Sequence, residues 1–149
     1  MSKRDNLPFE TTLEVRDTCL CLHLQRAARS VARRFDATLR PLGLTSGQFS
    51  LLMSLNRPDS ASIGQVSALL AMDRTTLTAN LKPLERRGLV AVSTDNADKR
   101  TRRLVLLPKG QALLVAAVPI WRQTHVELER LLVGAAANRL RADLRTLSL

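Results

Sequence analysis

The sequence predicts a mainly α-helical fold with a small β-hairpin, because three observations agree. Apolar residues recur at spacings of three and four along residues 20–39, 77–84 and 140–147, which is the period of an amphipathic helix. Three short apolar segments in the middle of the chain each follow a residue that caps helices well. The period changes to that of β-strands on both sides of the polar segment 94–101. These features predict one domain, in which three short helices and a hairpin lie between helical terminal regions.

A long first helix is predicted from about Asp17. Pro41 and Gly43 indicate where it ends. Its apolar side chains form one stripe, made of Leu20, Leu24, Ala27, Val31, Phe35 and Leu39. The first ten or so residues are polar and contain Pro8, so we expect them to form a loose arm.

Three short helices are then predicted over residues 49–56, 63–70 and 74–87. Their capping signals are Thr45 with Gln48, Ser62 with Gln65, and Asp73. A hydroxyl three residues before a glutamine forms a capping box, and an aspartate accepts hydrogen bonds from free N–H groups of the first turn. Gly88 follows the third helix, where left-handed backbone commonly ends a helix. Short helices joined by tight turns define a helix-turn-helix core.

The segments 89–93 and 103–107 are rich in residues that favour strands, and the basic segment between them predicts a hairpin with a long tip. Pro108 suits the first turn of a helix, which is expected to continue to about Leu132 with a kink at Pro119. A last helix is predicted over roughly 135–147, with Leu140, Leu144 and Leu147 on one face. The predicted fold class is therefore a winged helix-turn-helix, flanked by N- and C-terminal helices.

The charge of the chain points to a polyanionic partner. Lys and Arg number 23 against 13 Asp and Glu, and half of the net charge of +10 falls within residues 74–103. Most of the cations are arginines, which bind phosphates and guanine edges well. With three Phe, one Trp and no Tyr, the chain lacks the stacking platforms of single-strand binders. Double-stranded DNA is the predicted partner, although a solvated charged face is the alternative.

The segment 74–87 is the predicted recognition helix. Leucines at spacings of four and three give it an inward stripe, made of Leu77, Leu81 and Leu84. The predicted DNA-facing residues are Arg74, Thr75, Thr78 and Lys82, with Thr76 and Asn80 beside them. Short polar side chains allow close approach to bases and phosphates in the major groove. The hairpin tip supplies Lys99, Arg100, Arg102 and Arg103 as cations for the DNA backbone or the minor groove.

Several motifs resemble those of the MarR (multiple antibiotic resistance regulator) family of transcription factors. They are Leu42–Phe49 (LGLTSGQF), Met72–Thr78 (MDRTTLT), Leu84–Val90 (LERRGLV) and Asp95–Arg100 (DNADKR). Leu107–Gly110 (LPKG) is similar to the Leu-Thr-x-x-Gly motif of the family, with Pro108 in place of the usual threonine. The resemblance spans about residues 17–149, and the order and spacing of the motifs both fit.

The resemblance implies a homodimeric regulator, expected to be a repressor, that binds a pseudo-palindromic operator. It implies a single domain over 1–149, with dimerisation helices at 17–43 and 109–149 around a DNA-binding region at 44–108. It also implies that Asp98 orients the wing and that Arg100 enters the minor groove. Ser62 and Gln65, at the start of the second short helix, are expected near a phosphate.

Dimerisation also has support from the residues themselves. The apolar stripes of the first and last helices lie outside the winged-helix core, and such faces need a partner to cover them. The alternative is a monomer that uses these helices to thicken its own core. A two-fold dimer would place its recognition helices about 34 Å apart, which is one turn of DNA.

Pro83 lies inside the predicted recognition helix, where it removes the backbone hydrogen bond to Ala79 and is expected to bend the helix. The first two turns, which face the groove, are unaffected. Arg86 and Arg87 follow the bend. The sequence leaves two roles equally open for them, a contact with DNA and a structural position near the helix C-terminus.

A small molecule is one candidate for the regulating signal. The resemblance implies a cavity between the dimerisation helices and the winged helix, where phenolic or aromatic acids act in the family. The expected lining is Arg26 for a carboxylate, with Phe49, Met53 and Trp121 as an apolar wall. The alternative is that these three apolar residues belong to the ordinary core.

Oxidation of Cys21 is the other candidate signal, because peroxide sensors of the family carry a reactive cysteine at a similar place. This chain lacks the tyrosines that accompany that cysteine, and a buried, inert thiol is the alternative. Cys19 and Cys21 would lie about 200° apart on one helix, too far to bridge without unwinding it.

Cys19 and His23 share a face, but two ligands do not make a metal site, so no metal is predicted. His125 is expected to be a polar lining or surface group.

The remaining function classes are disfavoured. No nucleophile motif, phosphate loop or metal cluster indicates an enzyme or a cofactor. A nonspecific architectural DNA binder is compatible with the charge, whereas a pure protein-interaction module is not favoured by the Arg, Thr and Asn of the recognition helix. No apolar run is long enough for a membrane span and no secretory signal is evident, so a cytoplasmic location without membrane contact is expected.

Overall fold

The computed structural model describes residues 6–148 and contains seven α-helices and three strands within that range. The helices are α1 (Phe9–Thr18), α2 (Leu20–Leu39), α3 (Ser46–Ser54), α4 (Ile63–Leu69), α5 (Arg74–Arg86), α6 (Pro108–Glu129) and α7 (Ala136–Leu147). The strands are β1 (Ala61–Ser62), β2 (Val90–Thr94) and β3 (Arg102–Leu106). A short 3-10 turn, Arg40–Leu42, follows α2. The winged helix-turn-helix with terminal helices is confirmed.

The N-terminal region differs from the prediction. Residues 9 and 10 belong to helix α1, so the expected loose arm is wrong there, and residues 1–5 lie outside the described residues. The long helix begins at Leu20 instead of Asp17, because Cys19 has extended backbone and separates α1 from α2. The apolar stripe begins at Leu20, beyond this break, and it gave no sign of the separate helix α1.

The helix ends follow the predicted capping chemistry. Thr45 with Gln48, and Ser62 with Gln65, form complete capping boxes at the starts of α3 and α4. Gly43 and Gly88 have left-handed backbone after α2 and α5, which is the conformation that glycine adopts most readily. These local signals fix the tight turns that hold α3, α4 and α5 together.

The sheet has the strand order β1–β3–β2 and is antiparallel throughout. The predicted hairpin is β2–β3, with Val92 opposite Leu104. Strand β1 was not predicted, since two residues are too few to show a period. It places the start of α4 directly beside the wing.

The core lies between α2, α3, α5, the sheet and the first half of α6. Gly110 in α6 is buried, and a Cβ atom there would stand 2.3 Å from the carbonyl oxygen of Leu89. The absence of a side chain therefore lets α6 pack directly on the chain that leads into β2.

The terminal helices are only partly covered by the rest of the chain. In the stripe of α2, Phe35 and Leu39 are buried, whereas Leu20 is 67% exposed and Val31 is 39% exposed. Leu140, Leu144 and Leu147 of α7 are also exposed. The rest of residues 6–148 therefore leaves these apolar side chains uncovered.

Candidate nucleic-acid interface

Helix α5 is amphipathic in the way that a recognition helix requires. Its inward stripe of Leu77, Leu81 and Leu84 is buried, with Leu77 and Leu84 fully inaccessible to solvent. Burial of such side chains stabilises a helix by about 1.5–3 kcal/mol each. The opposite face is polar and accessible, whereas the apolar face packs on the core. That arrangement leaves the polar face available to a ligand.

The six predicted recognition residues lie on or beside this polar face. Arg74, Thr75, Thr76, Asn80 and Lys82 are exposed, and Thr78 is half-buried. Thr76 is already engaged, because its hydroxyl donates to the Asp73 carboxylate at 2.8 Å. The amide of Asn80 makes a long contact of 3.6 Å with the Met72 sulfur.

Asp73 holds the start of α5. Its carboxylate accepts from the backbone N–H of Thr76 at 2.8 Å, as predicted for an N-cap. This N–H, followed by the Thr76 hydroxyl, lowers the pKa of Asp73 below its usual value. The aspartate is therefore ionised at neutral pH and fixes the turn that carries Arg74 and Thr75.

The start of α4 lies close to Arg74. A Cβ atom on Gly64 would stand 3.2 Å from the Arg74 guanidinium, so the small residue makes room for the arginine. The predicted phosphate-site residues Ser62 and Gln65 are part of the capping box, in which Gln65 N–H donates to the Ser62 hydroxyl at 3.1 Å. Both side chains are thus used to order the helix start, and Gln65 is also exposed.

The wing tip is shaped by two aspartates. Asp98 accepts from the Arg100 N–H at 3.0 Å and from the Thr101 hydroxyl at 3.2 Å. Asp95 accepts from the Ala97 N–H at 2.8 Å, and this bond, followed by the Arg103 guanidinium, lowers the pKa of Asp95. Turns fixed in this way present the basic side chains that follow Asp98 to solvent.

The basic residues of the wing fall into two groups. Lys99, Arg100 and Arg102 are exposed and take part in none of the ion pairs found within residues 6–148. Arg103, by contrast, pairs with Asp95 at 2.9 Å and is half-buried. The wing therefore offers three cations.

Of the two roles left open for Arg87, its contacts support the structural position near the C-terminus of α5. Its guanidinium donates to the carbonyl oxygens of Gly43 and Leu42, while Arg86 is exposed. Sequence spacing could not reveal this contact, because the partners are more than 40 residues apart along the chain.

A second candidate site is a cavity of about 540 Å³ between α3, the end of α4 and α6. Three predicted pocket residues, Phe49, Met53 and Trp121, line it together, and the rings of Phe49 and Trp121 stack at 6.2 Å. Further lining residues are Ser50, Ser54, Leu69, Leu70, Val118 and Arg122.

Arg26 lies elsewhere. It lines a separate surface groove with His23, Arg29 and Arg33, so within the described chain Arg122 is the arginine at the cavity. The sequence carried no signal for Arg122, since a single exposed arginine beside Trp121 has no distinctive spacing. His125, expected as a polar lining or surface group, is half-buried and stacks on Trp121 at 4.9 Å.

The cysteines are more accessible than the inert-thiol alternative requires. Cys21 is exposed and Cys19 is half-buried. The angular separation expected for two residues on one helix does not apply, because Cys19 stands outside α2. Cys19 and His23 are joined by a hydrogen bond from the ring to the Cys19 carbonyl, and no metal-binding cluster is present in the part of the chain that the structure describes.

The exposed polar face of α5 and the basic wing define a winged-helix DNA-binding protein. The MarR family model matches residues 44–101 of the chain. The M. tuberculosis transcriptional regulator MosR, solved in complex with DNA, is 37% identical; the match covers 88% of this chain and 94% of that one, with a TM-score of 0.80. The chain belongs to the MarR family, whose members are DNA-binding transcriptional regulators rather than enzymes.

Two further relatives are similar. BpsR from Bordetella bronchiseptica, whose DNA binding is regulated by 6-hydroxynicotinic acid, is 30% identical; the match covers 87% of this chain and 92% of that one, with a TM-score of 0.78. The regulator TtmR from Methylorubrum extorquens (strain PA1) is 32% identical over 97 residues, which are 65% of this chain. The matched part is about half the length of TtmR. Among residues 6–148, none of the helices combines the length and the apolar composition that a membrane span requires.

Proposed function

We propose that two copies of the chain form a dimer that represses transcription by binding a pseudo-palindromic duplex. The observation that carries this proposal is the outward polar face of α5, which is exposed while its leucine stripe is buried. An α-helix of this kind fits the major groove of B-form DNA. A dimer seated on a promoter would exclude other proteins from it, which gives repression.

The residues divide into those that position the protein and those that read bases. Arg74 and Lys82 carry charge on α5 and suit phosphates, whereas Thr75, Thr76, Thr78 and Asn80 are short enough to reach base edges. Arg100 would enter the minor groove, with Lys99 and Arg102 on the backbone and Asp98 holding the tip. Gln65 and Ser62, at the start of α4, would lie near a phosphate beside Arg74.

The dimer is supported by the apolar surface that the single chain leaves uncovered. Leu20, Leu24 and Val31 of α2, and the three leucines of α7, are exposed on otherwise polar helices. Residues 17–43 and 109–149 would therefore form the dimerisation region and residues 44–108 the DNA-binding region. A two-fold interface buries the same patch on both copies. MosR in its DNA complex supports DNA as the partner.

The cavity supports a small aromatic or phenolic acid as the effector. Its apolar wall of Phe49 and Trp121 suits an aromatic ring, and Arg122 offers a partner for a carboxylate. The regulation of BpsR by 6-hydroxynicotinic acid is consistent with this ligand class. The cavity lies between α3, the end of α4 and α6. A ligand there would therefore favour one relative position of the DNA-binding and dimerisation regions. Only a ligand that prefers one state shifts the equilibrium.

Binding-site selection from a library of random duplexes tests the DNA-binding proposal. We expect enrichment of an inverted repeat whose half-sites are centred about one helical turn apart. An architectural binder would enrich no sequence, and a monomer would enrich a single half-site. Either result would contradict the proposal.

Redox control through Cys21 is a second candidate, favoured by the exposure of that thiol. A peroxide would oxidise the Cys21 thiolate to a sulfenic acid and would itself be reduced to water or an alcohol. Peroxide is expected to lower the affinity of the wild type for the selected duplex and to leave the Cys21→Ser variant unaffected. Cys19→Ser is the matched control and is expected to respond like the wild type. Full affinity of the treated wild type would contradict this candidate.

A further inference from the structure

The C-terminal end of the DNA-facing helix is joined to two other helices through one residue, Arg87. Its Nη1 donates to the Gly43 carbonyl at 2.7 Å, and its Nη2 donates to the Leu42 carbonyl at 3.4 Å. These carbonyls end the turn that follows α2. The Arg87 carbonyl in turn accepts from the Lys109 ammonium group, in the first turn of α6, at 2.8 Å.

The local backbone makes this contact specific. Gly43 has a φ of 65°, and a Cβ atom on it would stand 3.3 Å from the Arg87 guanidinium. A planar guanidinium offers several donors in a fixed geometry, so it can serve two neighbouring carbonyls at once. A cation is also favourable at the C-terminal end of a helix, where unpaired carbonyls carry partial negative charge.

The proline inside α5 explains why such a contact matters. Pro83 has no N–H and removes one backbone hydrogen bond within the last turns of α5. The orientation of this end of the helix therefore depends more on contacts to its neighbours. Arg87 provides such contacts to the end of α2 and, through its carbonyl, to the beginning of α6.

We propose that Arg87 is a positioning residue that fixes the orientation of α5 relative to α2 and α6, and so sets the sequence specificity of DNA binding. The inference rests on the proposed function. The guanidinium is already bonded to protein carbonyls, so Arg87 acts through the helix rather than by touching DNA. Arg86, one residue earlier and exposed, carries the same charge without this contact.

The test compares the affinity for the selected duplex with that for a scrambled duplex of equal composition. Arg87→Ala is expected to lower the affinity for the selected duplex about tenfold, which is the scale of a hydrogen bond to a charged group. It should leave the affinity for the scrambled duplex unchanged. The salt dependence should also stay unchanged, because no phosphate contact is lost. Arg87→Lys should restore part of the specificity, since an ammonium group keeps the charge but lacks the planar, fixed donors of the guanidinium. Arg86→Ala is the matched control and should keep the wild-type affinity ratio.

Three results would overturn the inference. One is an unchanged affinity ratio in Arg87→Ala. Another is a loss of about 0.9 in salt slope per arginine, which marks a phosphate contact. The third is an equal fall in both affinities, as expected if the variant were only less folded; circular dichroism at the assay temperature checks the folded fraction. A selection that enriches no sequence would instead contradict the proposed function, on which this inference depends.

Discussion

Replacing Arg100 by alanine tests whether the wing contacts DNA. The backbone N–H of Arg100 is fixed by Asp98 at 3.0 Å, and its side chain is exposed at the tip of the hairpin. No ion pair within residues 6–148 competes for this guanidinium. Its charge is therefore available to DNA, unlike the charge of Arg103, which Asp95 holds.

The size of the effect follows from counterion release. Each cation that neutralises a DNA phosphate contributes about 0.9 to the slope of log affinity against log salt concentration. A dimer carries two copies of Arg100, so the variant should have a slope shallower by about 1.8. When the salt concentration rises fourfold, both proteins lose affinity. The factor by which the variant loses affinity should be about twelve times smaller than the factor for the wild type.

Fluorescence anisotropy with the selected duplex at several salt concentrations measures this slope. Arg139→Ala is the matched control, because Arg139 is an exposed arginine of α7 that pairs with Asp143 at 3.6 Å. It removes the same charge far along the chain from the wing and should leave the slope unchanged. A wild-type slope in Arg100→Ala, or an equal change in Arg139→Ala, would refute the reasoning.

Three further predictions concern the helix cap, the packing of α6 and the cavity. The pKa of Asp73 is lowered by the Thr76 N–H and hydroxyl, so its stabilising effect is present above the ordinary carboxyl pKa and is lost as the pH falls through the lowered value. Urea midpoints should therefore fall more steeply with acid in the wild type than in Asp73→Asn, and parallel curves would contradict this. Gly110→Ala should lower the free energy of unfolding by about 1–3 kcal/mol through overpacking against the Leu89 carbonyl. A Cβ atom has space at Gly47, so Gly47→Ala should lower the free energy of unfolding by no more than about a few tenths of a kcal/mol. Equal losses in the two variants would contradict the expected overpacking at Gly110. Trp121 fluorescence should change on titration with at least one member of a panel of small aromatic acids, and Arg122→Ala should weaken that binding about tenfold while Arg26→Ala does not. A flat titration across a panel of aromatic acids would remove the cavity from the proposal.

Local chemistry explains which parts of the fold were predictable. The capping boxes at Thr45 and Ser62, the Asp73 cap and the leucine stripe of α5 depend on residues within a few positions of one another. Their spacing alone therefore predicts them. The hairpin was predicted to within one residue at each end for the same reason.

The missed features depend on contacts across the fold. Strand β1 exists because two residues pair with β3, and the break at Cys19 lies just before the apolar stripe of α2 begins. The cavity lining was predicted for Phe49, Met53 and Trp121, but the choice between Arg26 and Arg122 depends on how helices face one another. The Arg87 contact with Gly43 joins distant segments, and only the folded chain shows it.

Two recognition helices of one dimer are expected to read successive turns of the same duplex. Hydroxyl-radical footprinting of the selected duplex measures this arrangement directly. We expect two protected segments on one face of the DNA, centred about 10 base pairs apart, with minor-groove protection from the wings on the outer sides. Protection of a single half-site, or of an unbroken tract without helical phase, would contradict the account.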